Sequence, residues 1–424
     1  MIKHIFFINR KFNFKKYKKV INNNFSFNNK FDQKILNKKR SIKLLKKYAK
    51  VDKEIKKEIN LKKTLNVLNK NFKLNFNKSD LKKFKDYKNI VIIGMGGSIL
   101  GSEAIYNFLK DKIKKKIYFF DDIDEKKISD FKKKINFKNI LFIIISKSGN
   151  TVETLSNSFA LQILKKDARN VIIISEKKNN DLFLISKKLN IFYIEHKNYI
   201  GGRYSVLTEV GIVPALLMGI EIDKLRSRIL SFLNDKKKLF LKDSVVKLSN
   251  IAYANKYKNI VFINYAPKLE KFLFWCQQLI GESLGKKGKG FLPTISNAPK
   301  DHHSLLQLYL DGPKDKIFYI FNIDEKFTHK IKSINLPLKN AQILNNKSLN
   351  EIKNAQREAL IKSLKVNKIP FREFKIKKVN EEVLGELFSY FILETVFVCK
   401  LTNVNPFDQP AVEQVKNYTK DFLS

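Results

Sequence analysis

Ser146, Lys147, Ser148, Gly149, Asn150 and Thr151 follow an uninterrupted apolar run, Ile140–Ile145, and precede a helical pattern over Val152–Lys165. A small-residue loop between a buried strand and a helix N-terminus is suited to holding an anion. Unpaired N–H groups point out of the first turn, and the helix dipole adds positive potential there. The hydroxyls of Ser146, Ser148 and Thr151 and the Lys147 ammonium supply further donors. Gly149 admits a backbone conformation that a side chain would block. An ordinary capped loop uses the same ingredients, so the reading depends on the other polar residues of the chain.

Gly94-Met95-Gly96-Gly97-Ser98 also joins a strand to a helix. The third glycine of a dinucleotide fingerprint would fall on Ile99, and Asp121 or Asp122 could serve as the ribose acid, so that match is partial. Backbone approach to a sugar, with Ser98 adding a hydrogen bond, and a plain tight turn are the other uses. In Gly201-Gly202-Arg203-Tyr204-Ser205 an arginine stands in a chain dominated by lysine. Its fixed charge and planar fork suit an oxyanion; a surface arginine beside a loop is the plainer alternative. Gln278 and Glu282 share one face of an otherwise apolar helix. Partial burial would raise that carboxyl toward neutrality and make it a general base; a solvated glutamate paired with Lys286 is the alternative. His302 and His303 are adjacent where a helix is expected to start, placed to shuttle a proton or to cap. Gln409, Glu413 and Lys416 form one polar stripe, by itself a solvated face.

These side chains need a scaffold. The Lys- and Asn-rich residues 1–88 show helical apolar spacing around Ile42–Tyr48 and Leu61–Leu68, and read as a helical N-terminal cover. Strands at Asn89–Ile93, Ile117–Phe120, Ile140–Ile145, Asn170–Ile174 and Ile191–Ile194 then alternate with helices. That order predicts a doubly wound parallel sheet with ligands at the carboxyl ends of its strands. Helix Val206–Met218 closes this first α/β domain, 89–220. The second, 221–402, has strands Asn259–Ile263, Ile317–Phe321 and Phe371–Ile376. Its expected helices are Lys224–Leu233, Ser244–Tyr257, Leu269–Leu284 and Glu381–Thr402, with a polar boundary or insertion around Lys330–Asn350. Residues 403–424 end in a helix, Pro406–Leu423, with Asp408 as N-cap and Pro410 in the first turn.

A chain of 424 residues can bury two such cores. The formal net charge of +44 is almost all dispersed lysine, which reads as a solvated surface; no groove or motif points to nucleic acid. Cys276 and Cys399 lie far apart in apolar helical contexts, so neither a disulfide framework nor a zinc signature is expected. Ile5–Ile8 is too short for a signal core, and no run of about eighteen apolar residues suggests a membrane span. The basic, acid-poor N-terminus leaves an organellar leader open, and a cytoplasmic setting without a membrane partner is the default.

Taken together, GMGGS, SKSGNT, GGRYS, GESLGK, HHSLLQL and FDQPAVEQVK, in that order from Gly94 to Lys416, resemble the glucose-6-phosphate isomerase family. The resemblance implies two sugar-isomerase α/β domains and reversible isomerisation of glucose 6-phosphate and fructose 6-phosphate. The reaction would run through an enediol after ring opening, in glycolysis and gluconeogenesis, with no cofactor and no metal. It implies further that Ser146, Lys147, Ser148 and Thr151 hold the phosphate and that Gly97 and Ser98 contact the sugar. Arg203 would face the developing oxyanion, and Glu282 would move the proton between C2 and C1. His303, rather than His302, would open the ring with Lys416, while Gln278 and Gln409 face the substrate. The family's histidine segment comes from a second subunit, which implies a homodimer. Two other readings compete. A noncatalytic sugar-phosphate-binding regulator would keep the 146–151 loop but has no need of Glu282, His303 and Lys416 together. An NAD-dependent oxidoreductase using GMGGS is disfavoured by Ile99.

Overall fold

The computed structural model describes residues 19–31, 35–134, 136–325, 329–332 and 339–424. The apolar run Ile5–Ile8 and part of the stretch Lys330–Asn350 lie outside these residues. The described strands form two sheets. A hairpin of β1 (Lys19–Ile21) and β2 (Phe25–Lys30) is followed by β3 (Asn89–Ile93), β4 (Lys116–Phe120), β5 (Ile140–Ile145), β6 (Val171–Ser175) and β7 (Phe192–Glu195). The remaining strands are β8 (Asn259–Asn264), β9 (Leu292–Asn297), β10 (Lys316–Ile323) and β11 (Phe371–Ile376).

The first sheet has the order β4-β3-β5-β6-β7 and is parallel throughout. All six residues of β5 are buried, as a strand covered on both faces requires. Leu141, Ile143 and Ile145 face the main core, and Ile140, Phe142 and Ile144 face a second cluster with Phe131, Leu161 and Leu182. The second sheet has the order β1-β2-β11-β10-β8-β9, with β8 to β11 parallel. The long helix Glu381–Leu401 is almost wholly buried in the main core, to which both sheets contribute. The expected α/β architecture is therefore present, with the first sheet parallel throughout and the second parallel over β8 to β11.

Some elements differ from the sequence reading. The N-terminal region, expected to be helical over 1–88, contains helix Lys38–Ile59 but also the β1–β2 hairpin, which pairs antiparallel to β11. Phe25 and Phe27 alternate into the core, but the strand that β2 joins in the sheet besides its hairpin mate β1 is β11, more than 300 residues away. Strand β9 and helix Leu349–Val366, opened by a Ser348/Glu351 capping box, add to the expected elements. The helix after Thr151 stops at Ala160, and Gln162 turns the chain in a left-handed conformation. The C-terminal helix runs only from Val412 to Leu423, with Ala411 as an N-cap without a side-chain bond. Asp408 does not cap it, because its carboxylate accepts from Lys286 Nζ at 2.6 Å and Asn405 Nδ2 at 2.9 Å. Among the described residues, no helix is long and apolar enough to cross a membrane.

Candidate active site

In the first sheet the chain order reverses between β3 and β5, and a doubly wound sheet opens its ligand crevice at that point. The two polar loops found in the sequence lie there, Gly94–Ser98 after β3 and Ser146–Thr151 after β5. Thr151 is the N-cap of helix Val152–Ala160, yet its hydroxyl makes no capping bond to that helix. Instead Thr151 Oγ1 lies 2.8 Å from Ser146 Oγ and 3.4 Å from Ser148 Oγ, so the loop's hydroxyls converge over the first turn. Gly149 N donates to Ser146 Oγ at 3.1 Å. With φ at 73° and Asn180 Oδ1 1.8 Å from where a Cβ would stand, position 149 has no room for a side chain. Lys147 does not join the hydroxyls; its ammonium lies 3.5 Å from Glu176 Oε1.

The Gly96–Ser98 turn packs directly against the arginine loop. A Cβ on Gly97 would lie 2.2 Å from Gly202 C and 2.6 Å from Arg203 N, so only glycine allows the two backbones to meet. Ser205 Oγ donates to Gly97 O at 3.2 Å and to Gly202 O at 2.7 Å, tying the loops together.

Arg203 is 2% exposed on its side chain, and its fork is filled. Nε donates to Ser283 Oγ at 2.9 Å, and Nη1 donates to Glu282 Oε2 at 3.0 Å and to Gln409 Oε1 at 2.8 Å. Nη2 donates to the carbonyls of Pro406 at 2.6 Å and Asp408 at 3.0 Å. A buried guanidinium needs acceptors on this scale, and their planar arrangement fixes its orientation. The surface-arginine alternative does not hold. Glu282 sits in the last turn of helix Glu270–Leu284, with its side chain 30% exposed. Gln278 Nε2, one turn earlier, donates to its other oxygen, Oε1, at 2.9 Å. Lys286, the expected alternative partner, instead bonds Asp408 Oδ1 and Asn405 O, both at 2.6 Å.

The histidines and Lys416 stand apart from this cluster. His302 and His303 belong to a short 3-10 turn, Lys300–His303, that follows β9. Asp301 Oδ2 accepts from Asn297 N at 2.8 Å, and Asn297 Nδ2 donates to Glu270 Oε1 at 2.7 Å. The turn is thus fastened to the first residue of the helix that carries Glu282 in its last turn, about 18 Å further along at 1.5 Å per residue. Lys416 lies on the exposed C-terminal helix, and its ammonium pairs with Glu413 at 2.7 Å.

A sequence model described as phosphoglucose isomerase matches residues 60–424, which include every residue of this site. The chain belongs to the phosphoglucose isomerase family. It is 33% identical over 373 residues to a probable glucose-6-phosphate isomerase of Methanococcus maripaludis, covering 85% of this chain and 84% of that protein. It is also 33% identical over 362 residues to a glucose-6-phosphate isomerase of Methanocaldococcus jannaschii, covering 79% and 84%. In fold it is similar to the crystal structure of a glucose-6-phosphate isomerase from Chlamydia trachomatis. That match has a TM-score of 0.72 and 16% identity, and covers 96% of this chain and 90% of the other.

Two residues of this phosphoglucose isomerase-family site were passed over in the sequence. Tyr204 is fully buried, and its hydroxyl lies 2.9 Å from both Ser283 Oγ and the Pro406 carbonyl. Ser283 in turn accepts from Arg203. Each directly follows a residue singled out, Arg203 or Glu282, and that adjacency was the available signal.

Proposed function

We propose that the chain interconverts glucose 6-phosphate and fructose 6-phosphate, with Glu282 carrying the proton between C2 and C1. The observation behind this reading is the Arg203–Glu282–Gln278 cluster beside the Gly97 loop. It puts a half-open carboxylate against a guanidinium already oriented by five hydrogen bonds. All five of its N–H groups are engaged, so it is the fixed positive charge, rather than a free N–H, that stabilises a developing enediolate without reorganising during the reaction. Gln278 Oε1 is buried with no partner among the described residues, which leaves it as an acceptor for a sugar hydroxyl. Gln409, Gly97 and Ser98 complete the sugar site. Ser146, Ser148 and Thr151 hold the phosphate, with Lys147 adding long-range charge.

His303 and Lys416 open the ring, and they do so from a homodimer. Within one subunit the histidine turn and Glu282 lie at opposite ends of one helix, which supports a second subunit as the source of the histidine. Val415, Tyr418 and Phe422, spaced along one side of the Lys416 helix, are 67%, 53% and 89% exposed, an apolar stripe that a subunit contact would cover. Residues 89–220 and 221–402 act as the two sugar-isomerase domains, between the N-terminal region 1–88 and the C-terminal segment 403–424. The setting is cytoplasmic sugar-phosphate metabolism. The test is direct: purified protein incubated with fructose 6-phosphate, without cofactor, should yield glucose 6-phosphate. Binding without conversion would leave a sugar-phosphate regulator, and a requirement for NAD would sink the isomerase reading.

A further inference from the structure

We infer that His302 and Tyr265 form a clamp that sets the position of His303, so that His302 is a positioning residue for ring opening. The inference rests on the reading of His303 as an acid–base group. His302 Nε2 lies 2.7 Å from Tyr265 Oη, and the two rings meet edge to face at 5.7 Å. Tyr265 is a firm anchor. It directly follows β8, is 1% exposed, and its N–H donates to Phe321 O at the carboxyl end of β10. A four-residue 3-10 turn has little stability of its own and needs outside fastening. The Lys300–His303 turn has two such fastenings, Asp301 to Asn297 on one side and His302 to Tyr265 on the other.

The geometry of the turn converts this fastening into an orientation. At three residues per turn, neighbouring side chains point about 120° apart. With His302 drawn in against Tyr265, His303 must face away, and it is exposed. The adjacent histidines therefore have different tasks. One ring is spent on holding the turn, and the other is presented to whatever approaches that surface. Burial also holds the His302 ring below the ordinary histidine range, which favours its uncharged form.

Four variants test the clamp: His303→Ala, His302→Ala, His302→Gln and Tyr265→Phe. Two rates are read in each, turnover of ring-closed fructose 6-phosphate and solvent-deuterium exchange at C1/C2 in an aldose phosphate too short to cyclise. His302→Ala and Tyr265→Phe should slow turnover of the closed ring by about ten- to a hundredfold, the cost of a small misplacement. Exchange in the short substrate should hold. His302→Gln, whose amide still reaches the tyrosine hydroxyl, should recover most of the loss. Tyr265→Phe removes only one oxygen, so it decides the matter if His302→Ala folds poorly. Wild-type turnover in Tyr265→Phe, with His303→Ala inactive, overturns the clamp and spares the role of His303. Equal loss of both rates would mean general structural damage and also overturns it. Full activity in His303→Ala removes the underlying reading, and the clamp with it.

Discussion

Arg203 Nη1 donates at once to Glu282 Oε2 at 3.0 Å and to Gln409 Oε1 at 2.8 Å. One nitrogen thus joins the last turn of the Glu270–Leu284 helix to the segment that leads into the C-terminal helix. The carboxylate keeps a half-open face while its orientation is set by a charge that cannot move.

Glu282→Gln should fold normally and lose isomerase activity by about a hundred- to ten-thousandfold, the usual cost of removing a general base. Arg203 retains Gln409, Ser283 and two carbonyls as acceptors, so the site should remain assembled. Exchange of the C2 hydrogen with solvent deuterium is the measurement. Wild-type exchange in the variant would assign the base elsewhere.

Arg203→Lys keeps the charge but has one nitrogen where three now serve five acceptors. Each buried acceptor left unpaired costs about 1–3 kcal/mol. Lower stability should come with looser anchoring of residues 406–409. Amide hydrogen exchange would detect that as faster exchange in this segment; unchanged protection would show that the segment is held by other contacts.

Replacing both Ser148 and Thr151 with Ala should raise KM for sugar phosphates far more than it lowers kcat. The phosphate does not react, so its contacts are alike in the ground and transition states. Inhibition by inorganic phosphate should weaken in parallel, and unchanged inhibition would move the phosphate to another loop.

Gly97→Ala inserts a methyl group where Gly202 C lies 2.2 Å away. Overpacking of this kind costs about 1–3 kcal/mol. Because the displaced backbone is that of Arg203, kcat should fall more than thermal stability alone explains. A Gly97→Ala enzyme with normal kcat would mean that the two loops yield without disturbing the guanidinium.

His302 supplies a pH signature. Burial holds its ring below the ordinary histidine value, His303 acts in the same direction, and Asp301 opposes both. The folded state therefore takes up the proton less readily than the unfolded chain. This stability is intact above the unfolded value, ~6.5, and declines as pH falls below it toward the folded value. Urea midpoints at about pH 7.5 and 5.5 should drop further in the wild type than in His302→Gln. An identical drop would show that another group governs this range.

The unalternated run Ile140–Ile145 could be placed from the sequence because a strand buried on both faces has few other compositions, and the structure buries all six residues. The loops after β3 and β5 were legible for a related reason: strand, small polar residues and helix are adjacent in the chain. Arg203, Glu282 and Gln278 could be singled out by residue type and helical spacing. Tertiary structure decided which partners they took. Spacing alone allowed Glu282 to pair with Lys286, and it could not reveal that Asp408 and Asn405 occupy that lysine while a buried arginine needs the carboxylate. Nor could it tell which histidine turns inward, a choice made by Tyr265 just after β8, or that Phe25 and Phe27 belong to a strand that pairs with β11. Periodicity and composition register what a residue does to its own neighbourhood. A buried charge or an edge strand is satisfied by groups hundreds of residues away, and only the folded chain brings those groups together.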